Sequence, residues 1–352
     1  MVNVYFIKIS ELEKIGELIN TAGIADTIHE GDLTALKVHF GEKNNKGYLK
    51  PEFIKPVVDT VKHLKAQPFL TDACTIYVGQ RAVAPSHLTV AHEHGFSYDT
   101  YGCPVIIADG LRGNSYVEVP VNLKHFRNVK VAHDIHYSDS MVVLSHLKGH
   151  EISGFGGAIK NLAMGCAARA GKYEMHNDLK PEVDTALCTS CKSCVKWCPA
   201  SAIEMKPNSN GKVKAFIDPR KCIGCGECIL ACGKYKAISI KWSESVTNCQ
   251  EKMVEYACGA VKNKRMFYIN YINFVTKFCD CYPTKEGPVA PDVGILAGTD
   301  PVAVDLAAIE VLNKTVGYDF FNKIWPEINW KHNIEYATKC GLGSDKYELK
   351  IL

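Results

Sequence analysis

Short runs of β-branched and aromatic residues alternate along this chain with longer stretches in which apolar residues return every three or four positions. The runs at 4–9, 33–40, 69–72, 105–109, 129–132, 141–145, 266–274 and 293–297 predict strands. The stretches at 51–65, 84–94, 158–169, 251–261 and 301–312 predict amphipathic helices. A further helix should open on a Ser10/Glu13 capping box and close near Gly23. Strands alternating with helices predict an α/β domain.

That alternation is interrupted once. Between 183 and 243 the sequence carries two copies of C-x2-C-x2-C-x3-C: Cys188, Cys191, Cys194 and Cys198, then Cys222, Cys225, Cys228 and Cys232. Three thiolates on one tight loop can hold three irons of a [4Fe-4S] cube, and the fourth iron needs a cysteine from elsewhere. In the bacterial two-cluster ferredoxin arrangement the last cysteine of each run crosses over. One cluster is then expected on Cys188, Cys191, Cys194 and Cys232, the other on Cys222, Cys225, Cys228 and Cys198. Structural zinc fits less well, because zinc spends cysteines in separated pairs and has no use for the third cysteine of each run. Lys206 to Gly211 reads as a turn between two short strands. Strands and helices resume after Trp242. The expected organisation is therefore a discontinuous α/β domain, 1–182 and 244–352, with an α+β two-cluster ferredoxin-like module inserted at 183–243.

Several predicted strands end in ionisable residues, and in open α/β sheets ligands bind outside the carboxyl ends of strands. His39 and Glu42, Asp72, Asp109, and the dense set His146, Lys148 and His150 all stand at such ends. Turn and cap chemistry would favour the same residue types. Residues 153–161, S-G-F-G-G-A-I-K-N, form a glycine-rich loop running into a helix. There Gly154, Gly156, Gly157 and Lys160 are candidates to cradle a carboxylate or phosphate, with a tight packing turn as the plainer reading. The loop has neither Walker A nor dinucleotide-fingerprint spacing. The candidate catalytic residues are thus His39, His146, Lys148, His150 and Lys160. Cys279 and Cys281, a C-x-C before Pro283, together with Cys166, are candidates for a third metal or a reactive thiol. Cys74, Cys103, Cys249, Cys258 and Cys340 have no partner at a telling spacing and read as structural, as do most of the C-terminal aromatic residues, Phe320, Phe321, Trp325 and Trp330 among them.

Composition narrows the class of protein. At 352 residues, 47% hydrophobic and 22% charged, the chain is long enough for two or three folded units and is unlike a disordered segment. Lys and Arg (41) nearly balance Asp and Glu (38), so no overall field favours nucleic acid or an anionic membrane. Charge is local: from Cys188 to Trp242 there are ten Lys or Arg against three acids, an excess of +7 that can offset cluster charge or steer an acidic redox partner. No run of about 18 apolar residues occurs. With no secretory signal in the N-terminal residues, sixteen cysteines point to metal or redox chemistry in the cytoplasm rather than to disulfides.

The segments V-H-F-G-E (38–42), D-A-C-T-I-Y-V-G (72–79), S-H-L-K-G-H-E (145–151), G-F-G-G-A-I-K-N-L-A-M-G-C (154–166), C-D-C (279–281) and D-V-G-I-L-A-G-T-D-P-V-A-V-D (292–305) together resemble the iron-sulfur-centre proteins of domain-of-unknown-function family 362. The resemblance covers nearly the whole chain. It implies an α/β domain interrupted by a two-cluster ferredoxin, mostly in anaerobes, and it names a cofactor rather than a reaction. The expected function is single-electron transfer through two [4Fe-4S] clusters between protein donor and acceptor, docked by the α/β domain. The alternative is an oxidoreductase whose clusters feed a small molecule in the α/β crevice near Lys148, His150 and Lys160, with a flavin or further metal left open there. A redox-sensing or assembly role is a third reading.

Overall fold

In the computed structural model, residues 1–176, 180–240, 244–281 and 286–352 are described. Lys241, Trp242 and Pro283, used in the sequence reading, lie outside them. Eight strands form one sheet: β1 (Val2–Lys8), β2 (Leu33–Lys37), β3 (Gln67–Asp72), β4 (Val105–Ile107), β5 (Ser140–His146), β6 (Arg265–Ile272), β7 (Gly294–Gly298) and β8 (Tyr347–Ile351). Their order is β8-β1-β7-β6-β5-β2-β3-β4, and β7 alone runs against the rest. The protein is thus α/β with a largely parallel sheet.

Period-two alternation sends successive side chains to opposite faces, each covered by helices. Ala35, Met141, Val143, Tyr268 and Ile272 pack on one side with the helices Ala158–Cys166, Val246–Val261 and Pro301–Val316. Leu36, Val142, Leu144, Phe267 and Ile269 pack on the other with Ile15–Thr21, Pro51–His63 and Ala84–Glu93. Phe320, Phe321 and Trp330 are buried in the first core.

Four local expectations are corrected. The predicted strand at 129–132 exists (Asn128–Ala132) but pairs outside the sheet, with Tyr116–Pro120. The helix predicted at 158–169 stops at Cys166, because Ala167 bridges Val131 and the Ala168 N–H donates to the Lys130 carbonyl; a second helix, Arg169–His176, then begins. The first helix opens as a 3-10 turn, Ile9–Lys14, and it is Glu11, not Glu13, that accepts from the Lys8 N–H at 3.2 Å. β8 was missed: its exposed edge position leaves a polar, weakly alternating pattern.

Residues 182–239 make a small unit with a core of its own, including Cys194, Ile203, Ala215, Ile217, Cys228, Cys232 and Ile238. Glu182–Val183 pairs antiparallel with Ile238–Ser239 where the chain enters and leaves it, and Ile203–Pro207 pairs with Val213–Ile217 across the predicted turn.

Candidate functional site

The chain moves outward from β2 to β3 and β4, then returns to place β5 on the other side of β2. This reversal makes β2 and β5 the switch point of the sheet, where neighbouring loops diverge and open a crevice. A cavity of about 870 Å³ lies there, partly open to solvent. His39, Asp72, Arg81, His146, Lys148, His150, Lys160, Lys172, His176, Cys279 and Cys281 all line it. The structure therefore brings together all five catalytic candidates, from His39 beyond the end of β2 to Lys160 in the helix Ala158–Cys166.

Much of its charge is spent internally. Lys37, fully buried at the end of β2, lies 3.0 Å from Asp72 and donates to Asn161 at 2.9 Å. Gly165 makes room for it: a Cβ there would come 2.7 Å from the Lys37 ammonium. Burial pushes the Asp72 carboxyl up, but Lys37 and then His87, 3.6 Å away, outweigh this and hold it well below the usual carboxylate range. Asp280 binds both Lys148 (2.6 Å) and His146 Nδ1 (2.9 Å), while His146 Nε2 lies 2.8 Å from the Asn273 carbonyl. Both nitrogens of His146 are thereby engaged, which makes it a positioning residue. His150 Nδ1 accepts from the Ile152 and Ser153 N–H groups, so the ring proton sits on Nε2, and burial keeps the ring neutral, well below an ordinary histidine. Burial, followed by Arg81 at 3.1 Å, likewise keeps His39 neutral. Gly149 sets Lys148 and His150 against the 276–280 loop, where a Cβ would overlap the Lys277 carbonyl.

Two cavity features differ from this internal compensation. Arg81 is 1% exposed, contacts Glu42, Asp72 and His39, and keeps one terminal nitrogen, Nη2, with no hydrogen-bond partner among the described residues. Lys160 donates to Cys279 Sγ at 3.2 Å. The Cys281 hydrogen bond, and then Lys160, hold the Cys279 thiol well below its ordinary value against the effect of burial. Burial opposes the charge on Lys160 in turn, but the Cys279 and Cys281 sulfurs together raise its pKa.

The glycine-rich loop has a different occupant from the one anticipated. The Ala158 and Ile159 N–H groups donate to the Asp305 carboxylate at 2.6 and 2.9 Å, and Asn270 donates to the same group. The protein's own carboxylate thus takes the helix N-terminus, and a Cβ on Gly157 would overlap it. Gly156, Gly157 and Lys160 line the cavity, whereas Gly154 packs against Trp330. Cys166 is also elsewhere, buried in the first core with its sulfur 4.0 Å from that of Met141. It does not join Cys279 and Cys281. Asp109, another strand-end candidate, holds the backbone of Cys74.

The eight clustered cysteines form two groups. Cys188, Cys191, Cys194 and Cys232 line one cavity of about 350 Å³. Cys198, Cys222, Cys225 and Cys228 line another of about 310 Å³. Each group holds three cysteines of one run and the last cysteine of the other. Among the described residues no three His, Cys, Asp or Glu side chains converge as on a single ion. A cube differs, because it takes one thiolate at each iron and spreads its ligands around a volume. The residues present therefore fit two such groups.

The second set adjoins the α/β domain. Glu227 accepts from Asn114 and lies 3.6 Å from Arg112, whose guanidinium sits 4.5 Å above the Trp197 ring. Tyr173 fits against Gly226 with no room for a Cβ, and its hydroxyl donates to the carbonyl of Ile76, a residue of the cavity wall. Reading the sequence singled out neither Lys37 nor Arg81. The lysine inside the apolar run 33–40 was a usable signal; Arg81 had none.

No helix among the described residues is long and apolar enough to cross a membrane. No curated protein matches the chain. Among solved structures it is similar to the lactate racemase apoprotein from Thermoanaerobacterium thermosaccharolyticum, with 11% identity and a TM-score of 0.42, over 77% of this chain and 50% of that one. It is also similar to a crystal structure of a Thermotoga maritima protein, with 10% identity and a TM-score of 0.42, over 87% of this chain and 59% of that one. The chain thus spans about half the length of the first and less than two thirds of the second. A family model matches most of it, residues 34–310, and the chain belongs to that family, described as Domain of unknown function (DUF362).

Proposed function

We propose that this protein is an iron-sulfur oxidoreductase that delivers single electrons to a small anionic molecule held in the switch-point cavity. Cys188, Cys191, Cys194 and Cys232 would hold one [4Fe-4S] cluster of a ferredoxin-like module, and Cys222, Cys225, Cys228 and Cys198 the other. When bound, such clusters supply one-electron reduction. The observation that carries the reading is the shared wall: Tyr173 touches Gly226, between Cys225 and Cys228, and bonds the Ile76 carbonyl of the cavity lining. A carrier that only docks redox proteins has no use for that adjacency.

The chain's own residues supply the rest. Arg81 Nη2 offers a buried donor to a carboxylate or phosphate, and its cost of burial is offset when an acceptor arrives. His150 presents Nε2–H as a neutral donor. The Lys148–Asp280–His146 set fixes the loop that carries Cys279. The low-dielectric walls strengthen each of these contacts.

Protein purified without oxygen should carry eight irons and matching sulfide per chain. Once reduced, it should be reoxidised by members of a panel of small carboxylates and phosphates, and Arg81→Met should abolish this with iron unchanged. Reoxidation by redox proteins alone would return the chain to an electron carrier. Iron far below eight would sink both readings.

A further inference from the structure

We propose that Cys279 and Cys281 form a thiol–disulfide exchange centre in the cavity, acting on low-molecular-weight disulfides. Both are free cysteines, both line the cavity, and a single residue, Asp280, separates them in the chain. Lys160 Nζ lies 3.2 Å from Cys279 Sγ, and the contact joins a half-buried ammonium to a buried thiol from a separate segment. An ammonium ion in that position stabilises the thiolate, the attacking form in exchange. Asp280 between them is locked by Lys148 and His146, which fixes the loop that places both cysteines in the cavity wall.

The chemistry balances without an outside reductant. The Cys279 thiolate attacks one sulfur of the disulfide R–S–S–R, forming a mixed disulfide and releasing RS⁻. Cys281, giving its proton to that leaving thiolate, then attacks Cys279 Sγ and releases the second RS⁻. The products are a Cys279–Cys281 disulfide, one RSH and one RS⁻. Two electrons pass from the protein dithiol to the substrate, and the reverse sequence with two RSH restores the dithiol. A metal at this pair is disfavoured by the ammonium against Cys279 and by the position of Cys166 in the core. The cationic wall, with Arg81 Nη2 without a partner among the described residues, favours disulfides that carry carboxylates, such as cystine. The exchange requires no cluster, so it stands independently of the electron-transfer reading.

Trypsin cutting after Lys277 and Lys285 releases one peptide, 278–285, that holds both cysteines and no others. The anaerobic whole protein is incubated with cystine, alkylated, digested and weighed. The peptide should appear unalkylated and two hydrogens lighter, and should take two alkyl groups after reduction. In Cys281→Ser it should retain a cysteinyl adduct on Cys279, and Lys160→Met should slow adduct formation tenfold or more. Cystamine, which carries amines in place of carboxylates, should react more slowly than cystine. A wild-type peptide that stays doubly alkylatable would overturn the proposal. So would a Cys279→Ser protein whose Cys281 reacts at the wild-type rate. Cluster content, read from iron in the same sample, reports separately on the proposed oxidoreductase.

Discussion

Replacing Lys37 with Met removes the ammonium that faces Asp72 at the switch point. Lys37 is fully buried and Asp72 is 2% exposed, and their contact is 3.0 Å. Arg81 and His87 stand farther from Asp72, at 3.5 and 3.6 Å, so they compensate only in part. Removing one partner of such a buried pair costs about 3–5 kcal/mol, because the remaining charge is left without its counterion. For 352 residues, an unfolding entropy of about 2.1 cal/mol/K per residue gives ~0.7 kcal/mol/K, and the loss becomes a fall in Tm of about 4–7 °C. Differential scanning calorimetry of the anaerobic protein measures this directly. Lys37→Met combined with Asp72→Asn should recover at least half of the loss, since the stranded charge is gone. The deficit also depends on pH. Asp72 has a depressed carboxyl pKa, so its contribution is present above the ordinary carboxylate value and is lost as pH falls through the folded one. Because Lys37 is the main cause of that depression, the gap between variant and wild type should narrow below about pH 4. A variant melting within 1 °C of wild type at pH 7, or a double variant as unstable as the two singles summed, would refute the reasoning.

Other substitutions probe neighbouring parts of the fold. Burial lowers His176 to about 4, so stability should be lost as pH falls from 6.5 towards 4, by up to about 3 kcal/mol; His176→Gln should flatten a chemical-denaturation profile across that window, and an unchanged slope would count against it. Gly149→Ala drives a Cβ into the Lys277 carbonyl and should cost about 2–3 kcal/mol, read as a fall in Tm of roughly 3 °C or more. Gly226→Ala combines a collision with Tyr173 and a φ of +69°, and should loosen the insertion from the α/β domain, seen as faster limited proteolysis near 180 and 244; an unaltered digestion pattern would contradict the described contact.

Strand positions in the sheet interior were legible because burial on both faces demands continuous apolar runs such as 141–145 and 266–274. What was not legible depended on distant partners. Nothing local announces that Ala167 will bridge Val131, so one predicted helix became two, and the second carries Lys172 and His176 into the cavity. The histidine and lysine candidates at strand ends do gather at the cavity, since the carboxyl edge of a parallel sheet collects them. The glycine-rich loop was legible as a helix N-terminus awaiting an anion. That the anion is Asp305, 147 residues away, could not be read from the loop.

The contact between Asp305 and the Ala158 helix also bears on the order of assembly. β5 ends at His146, but its neighbour β6 begins at Arg265, on the far side of the insertion. A growing chain therefore releases the complete cysteine-rich unit while the sheet still lacks β6, β7 and β8 and the Ala158 helix has no carboxylate at its N-terminus. The inserted unit, with its local hairpin and its own core, can form in that interval. The switch-point cavity cannot, because the 276–281 loop and Asp305 are made after that unit. Synthesis alone thus places completion of the cysteine-rich unit ahead of closure of the chamber beside it.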